Sequence, residues 1–130
     1  MKSVKRNRLS VLLNIDLYES LLYACQRGDY HTVKFLIEEL GLNPNGWEPD
    51  YEEPTGAPLA TSLIYGQLHI AKYLISKGAH PRIIEDFRRA VYDIVTKKYR
   101  EKDTIKFMLE NDNFDRKIII DTLDRLEVVI

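Results

Sequence analysis

Gly66-Gln67-Leu68-His69-Ile70-Ala71-Lys72-Tyr73-Leu74-Ile75-Ser76-Lys77-Gly78-Ala79 is the stretch that decides the fold. It opens on Gly66 and carries Gly78 next to its end, and between the glycines Ala71, Leu74 and Ile75 fall at i, i+3 and i+4. That spacing puts them on one side of a helix. Glycine just past a helical run is the ordinary left-handed stop, because it lacks the Cβ that makes this conformation costly. The centre of the stretch recurs twice, as Val33-Lys34-Phe35-Leu36-Ile37 and as Ile105-Lys106-Phe107-Met108-Leu109. Each copy reads small or branched apolar, Lys, aromatic, apolar, apolar, and the lysines are 38 and 34 residues apart.

The flanks of the first two copies agree. Gly28 and Gly66 each stand six residues before the Lys, and Gly41 and Gly78 close the copies. Val33, Leu36, Ile37 and Leu40 give the first copy an apolar helix face, with Leu40 as one additional residue before the closing glycine. A second short helix precedes each opening glycine, marked by Leu17, Leu21 and Ala24 and then by Leu59, Ser62 and Leu63. Asp29, directly after Gly28, is a good N-cap for the helix that follows. The unit is therefore helix, glycine turn, helix, loop. One such pair cannot bury both of its faces, whereas stacked pairs can.

These residues resemble the ankyrin repeat, whose period is about 33 residues and whose first stretch reads near T-P-L-H-x-A. Ala57-Pro58-Leu59-Ala60 stands at that first stretch, and Gly66 to Ala79 at the second. The first copy is looser: Ala24-Cys25-Gln26-Arg27-Gly28-Asp29, then Val33 to Ile37, then Gly41-Leu42-Asn43-Pro44-Asn45. The resemblance implies an all-α fold. It would be an α-solenoid of about three ankyrin-type helix–turn–helix repeats with a C-terminal capping helix. The single domain spans 1–130, divided as 9–45, 46–82, a degenerate 83–113 and a closing 114–130, with the residues before Leu9 expected to be poorly ordered.

The departures locate the weak points of that expectation. Ala57 cannot supply the side-chain cap of the family's Thr, so its helix relies on Pro58 in the first turn. No glycine follows Gly78 and no proline follows Pro81. The third unit is thus expected to lack the tight turn, with a longer first helix (Phe87, Ala90, Val91, Ile94 and Val95 on one face) and Lys97 to Lys102 as the link. Ile119, Leu123, Leu126 and Ile130 form the stripe of the closing helix.

Composition narrows the function classes. In 130 residues, 45% hydrophobic and 30% charged, one globular domain fits and a separate catalytic domain does not. The net charge of -1 argues against a general polyanion binder. Cys25 is the only cysteine, so no internal disulfide forms and an intracellular, cytoplasmic location is expected. The basic N-terminus (Lys2, Lys5, Arg6, Arg8) ahead of Leu9 to Leu13 imitates a signal peptide, but Asn14 and Asp16 interrupt the apolar run. No segment approaches the ~18 apolar residues of a membrane span, so no membrane partner is expected.

Candidate contacts lie in loops and turns. The stretch 46–56 holds Trp47, Tyr51 and four carboxylates including Asp50 and Glu52, with no basic residue. Interfaces favour such aromatics, and the acidic rim points to a partner with a basic surface. The competing reading is a solvated loop with Trp47 folded over the end of a helix. By the resemblance, Gln26 and Arg27 match Ile64 and Tyr65 just before the glycine turns and face partners. The competing reading for Ile64 and Tyr65 is packing against the Trp47 loop. His80 and Arg82 belong to the next loop tip, matched one unit earlier by Asn43 and Asn45, which turn chemistry alone explains.

Chemistry-bearing motifs are missing. Cys25 reads as a buried, inert thiol. His31 and His69 are a repeat apart and no ligand spacing joins them, so no metal or other cofactor is expected. The six glycines never cluster into a phosphate loop and no nucleophile elbow occurs, so the chain is not expected to be an enzyme. The expected function is a non-catalytic protein–protein interaction module, an adaptor or inhibitor using the 46–56 loop and the concave face. A monomer is the expected state, with a dimer left open. The alternative is a nucleic-acid-associated regulator using the basic C-terminal half, where Arg82, Arg88, Arg89, Lys97, Lys98, Arg100 and Lys102 gather. Their interleaving with Glu85, Asp86, Asp93, Glu101 and Asp103 reads more like a solvated helix face, so nucleic acid is the less expected partner.

Overall fold

The structure, a computed structural model, describes residues 8–47 and 54–127. Of the segment expected to be poorly ordered only Arg8 is described, and it is helical; Ile130 of the closing stripe lies outside the described residues. Among the described residues there are seven α-helices and no strand. They are α1 (Arg8–Arg27), α2 (Tyr30–Lys34), α3 (Ala57–Ile64), α4 (Leu68–Ser76), α5 (Phe87–Lys97), α6 (Glu101–Leu109) and α7 (Arg116–Arg125). A π-helical segment, Phe35–Glu39, continues α2, and a single 3-10 turn, Pro81–Ile83, precedes α5.

Helices α1, α3, α5 and α7 pack one on the next, and α2 packs on α4. The periodic residues meet in that seam. Leu21, Ala24, Leu59, Leu63, Val91 and Ile94 come from the first layer, and Val33, Ile70, Leu74, Ile105 and Met108 from the second, each almost fully buried. Burying a large aliphatic side chain contributes about 1.5–3 kcal/mol, so this apolar seam is the main source of order. Helix α1 is longer than its marked residues imply. Asn14 and Asp16 have modest helix propensity but do not break a helix, and the run continues back to Arg8.

The additional residue of the first unit has a definite home. Leu40 N–H donates to Phe35 O at 3.2 Å, an i to i−5 bond that widens the last turn by one residue. The widening rotates Leu40 off the buried face, and it is 47% exposed rather than packed as its spacing predicted. The closing glycines do what the sequence requires of them: Gly41 and Gly78 have φ +74° and +102°.

The largest correction concerns the third unit. Its turn is as tight as the others, because α5 ends at Lys97 and α6 starts at Glu101. Arg100 stands six residues before Lys106, where Gly28 and Gly66 stand before their lysines. Its φ is +55°, against +78° and +69° for those glycines. The backbone of the turn persists although the glycine that marks it is gone. At the start of α3, Thr55 Oγ1 accepts the Ala57 N–H at 3.1 Å, so a side-chain bond does support that helix start, from two positions upstream.

Candidate functional site

The turns between paired helices lie against one another. A Cβ on Gly28 would sit 2.5 Å from the Gln67 side chain, and one on Gly66 would sit 2.5 Å from Tyr99 O. The first turn and the second are joined by polar contacts: Gln67 Nε2 donates to Gln26 O at 3.0 Å, and His69 Nε2 lies 3.3 Å from Gly28 O. The second and third are joined by aromatics. Tyr65 and Tyr99 stack with centroids 5.3 Å apart at 25°, and Lys97 Nζ lies 5.6 Å over the Tyr65 ring.

Arg27, Tyr65 and Tyr99 therefore hold one register position, each seven residues before the Lys of its copy. Arg27 is exposed and reaches Asp29 at 3.6 Å, while Asp29 caps α2 by accepting Thr32 N–H at 3.2 Å and Thr32 Oγ1–H at 2.7 Å. Those bonds from Thr32, and then the Arg27 charge, hold the Asp29 carboxyl below its ordinary value. Gln26 is exposed as well, but its carbonyl is already engaged by Gln67. Tyr99 is half exposed, and the sequence reading did not nominate it. The signal was present in the register shared with Tyr65, but it was hidden because no glycine follows Tyr99.

No family model, curated protein or solved structure matches the chain.

The other nominated residues divide. Ile64 is half-buried against the core, so its apolar side chain is absorbed by packing. Tyr65 finds its described ring partner in Tyr99 of the next pair, not in Trp47, whose half-buried ring lies 6.0 Å from Tyr18. Trp47 thus has Tyr18 of α1 as a ring neighbour. Asp50, Tyr51 and Glu52 lie outside the described residues. His80 is structural, since its Nδ1 accepts Arg82 N–H at 3.2 Å and so closes the turn before α5. Asn43 does the same one unit earlier, accepting Asn45 N–H at 2.9 Å, and Asn111 one unit later, accepting Asn113 N–H at 2.9 Å. Asn45 goes beyond turn chemistry, because its amide bridges two units, donating to Gly78 O at 3.2 Å and accepting His80 N–H at 2.9 Å. Arg82 is exposed.

Cys25, His31 and His69 have defined surroundings. Cys25 is buried, and burial pushes its thiol up to about 11 despite the lowering influence of the neighbouring Ser62 hydroxyl, so thiolate is scarce at neutral pH. His31 and His69 lie against the same ring, Tyr30, at 5.9 and 6.3 Å. What the turns present is a row of cationic and aromatic side chains, with Arg27, Lys97 and Tyr99 exposed and Tyr65 half-buried. That arrangement suits contact with a macromolecule.

Proposed function

We propose that the chain is a non-catalytic, ankyrin-type protein-binding module acting as an adaptor or inhibitor, with Arg27, Tyr65, Tyr99 and Lys97 on the turns as its contact row. The carrying observation is the Tyr65–Tyr99 stack, which leaves half of Tyr99 in solvent on a turn packed against its neighbour. Aromatic side chains with few rotatable bonds bring large contact area at low entropic cost, which makes them frequent anchors of interfaces. The repeated unit, the shared left-handed turn position at Gly28, Gly66 and Arg100, and the repeated 43, 80 and 111 side-chain turns support reading the three pairs as copies of one design, closed by α7. Fold resemblance alone does not assign function, so the weight rests on the turn row.

Affinity capture followed by mass spectrometry tests this. A Tyr65→Ala/Tyr99→Ala chain is expected to lose the captured protein by about 30-fold or more while keeping its helical circular dichroism. A Trp47→Ala chain serves as the comparison for the foot of the 46–56 loop. Undiminished capture by the double variant rejects the turn row, and loss in Trp47→Ala alone moves the contact to that loop.

A further inference from the structure

Helix α5 carries a marked local excess of positive charge. The segment from Phe87 to Lys98 carries Arg88, Arg89, Lys97 and Lys98 against the single carboxylate Asp93, in a chain whose net charge is -1. Arg88, Arg89, Tyr92 and Thr96 are all exposed and fall within about 100° of one another around the helix, on one face, with Lys97 exposed beside it. The stripe runs from Arg88 to Thr96, about 12 Å at the helical rise.

Two hollows lie at the start of this stripe, where α5 meets α7. One, of about 380 Å3, is walled by Arg88, Arg89 and Arg125 with Tyr92, Thr122 and Leu126. The other, of about 290 Å3, adjoins it through Asp86 and Arg88 and includes the apolar side chains Phe87 and Ile118. The carboxylates nearby are already occupied. Asp86 accepts Arg89 N–H at 3.0 Å as the cap of α5, Asp115 accepts Ile118 N–H at 3.2 Å as the cap of α7, and Asp93 reaches Arg89 at 3.7 Å. Asp121 is held by Lys117 at 2.8 Å, with Arg125 and Arg88 acting on it from further away. Glu85 lines the smaller hollow and is the acidic counterweight there. Among the described residues Arg88 and Arg125 make no ion pair within 4 Å.

From this juxtaposition we infer that the exposed face of α5 and the α5–α7 hollows bind an acidic peptide segment of a partner protein that also carries an apolar anchor side chain. This rests on the protein-binding reading above and specifies its partner. Arginines with no committed carboxylate recognise carboxylate groups through planar, paired hydrogen bonds. The apolar walls beside them take an aliphatic or aromatic side chain, which a nucleic-acid backbone does not supply. A single stripe interrupted by Asp93 is likewise a poor track for a continuous row of phosphates. The expected partner surface is thus acidic at α5, opposite in sign to the basic surface that the 46–56 loop calls for.

The test is selection of a displayed library of random 12-residue peptides on the full chain, run in parallel on an Arg88→Glu/Arg125→Glu variant. Both residues are solvent-facing, and Arg88→Gln/Arg125→Gln provides a milder second variant. The wild-type chain is expected to enrich peptides rich in Asp and Glu around a Leu, Ile or Phe. Anisotropy titration of one such labelled peptide is expected to weaken about tenfold or more in either variant, the effect of one charge-assisted bond. Enrichment of neutral or basic peptides, or equal binding by the variants, overturns this inference and leaves the module reading standing. Enrichment of no peptide overturns it as well, and the module reading then stands or falls by the capture experiment with Tyr65→Ala/Tyr99→Ala. Displacement of the bound peptide by a 12-nucleotide single strand at equal concentration overturns it in favour of nucleic acid.

Discussion

The junction between the first and second helix pairs and the junction between the second and third are built from different materials. The first is mainly polar and directional, beside the edge-on Tyr30–Tyr73 ring contact: Gln67 to Gln26 O, Asn45 to Gly78 O and His80 N–H, and Tyr73 Oη donating to Glu38 at 2.5 Å, with Lys77 3.4 Å from the same carboxylate. The second is aromatic and steric. Tyr65 stacks on Tyr99, Lys72 lies 5.7 Å over Phe107, and the Gly66 backbone presses on Tyr99 O. Among the described residues no side-chain hydrogen bond crosses it. Hydrogen bonds fix register through geometry, whereas ring stacking and close approach depend on the absence of atoms. The two junctions should therefore fail in different ways.

The largest effect is expected at Gly66. In Gly66→Ala the new Cβ meets the backbone of Tyr99, which cannot move aside as a side chain can, and a left-handed alanine is itself costly. Together these are worth about 3 kcal/mol. Urea denaturation should show a correspondingly lower midpoint, and a midpoint within error of the parent would mean that the turns are not packed as described.

At the polar junction Asn45→Ala removes two inter-unit bonds and should cost about 2 kcal/mol, at roughly 1 kcal/mol per bond. If the junction is indeed held by that amide, hydrogen exchange at the His80 amide should accelerate before exchange in α5.

Arg100→Gly probes the third turn in the opposite direction. Relief of the left-handed arginine outweighs the extra freedom glycine has when unfolded, and the Arg100–Asp103 pair lost with it is exposed and weak. A gain of about 0.5–1 kcal/mol in thermal or urea stability is expected. A loss instead would mean that Arg100 makes a contribution that its conformation conceals.

The smallest effect concerns pH. The Tyr73 hydroxyl, then Lys77, hold the Glu38 carboxyl below its ordinary value. A depressed carboxylate contributes stability that is full above its unfolded value and fades as pH falls through the folded one. The parent should therefore exceed Tyr73→Phe in denaturation midpoint at pH 7, and the gap should narrow towards pH 3. A constant gap would assign the difference to packing of the ring on Tyr30, 5.2 Å away, rather than to the carboxylate.

The helix pairs and their buried faces were legible in the sequence because 3.6-residue periodicity and glycine punctuation agreed at Gly28, Gly41, Gly66 and Gly78. Two features were not. A π-helical turn leaves only a one-residue surplus in the sequence, and nothing in Phe35 to Leu40 says whether the loop or the helix absorbs it. An arginine in the left-handed region has no compositional signature, so the third turn, and Tyr99 with it, could be found only by counting back from Lys106. The candidate site suffered most where apolar identity was taken as exposure. Ile64 is half-buried and packs against the core.

Asn45 has one more consequence. Its carbonyl accepts both Thr55 N–H at 3.1 Å and Gly56 N–H at 2.7 Å, so the chain leaves and re-enters the helical body at a single residue. A segment whose two ends are clasped together can change length at little thermodynamic cost, since each doubling of a closed loop adds only about 0.6 kcal/mol. The 46–56 stretch is thus a natural insertion point: foreign sequence grafted between Trp47 and Thr55 would be displayed on the helical frame without altering how that frame is closed.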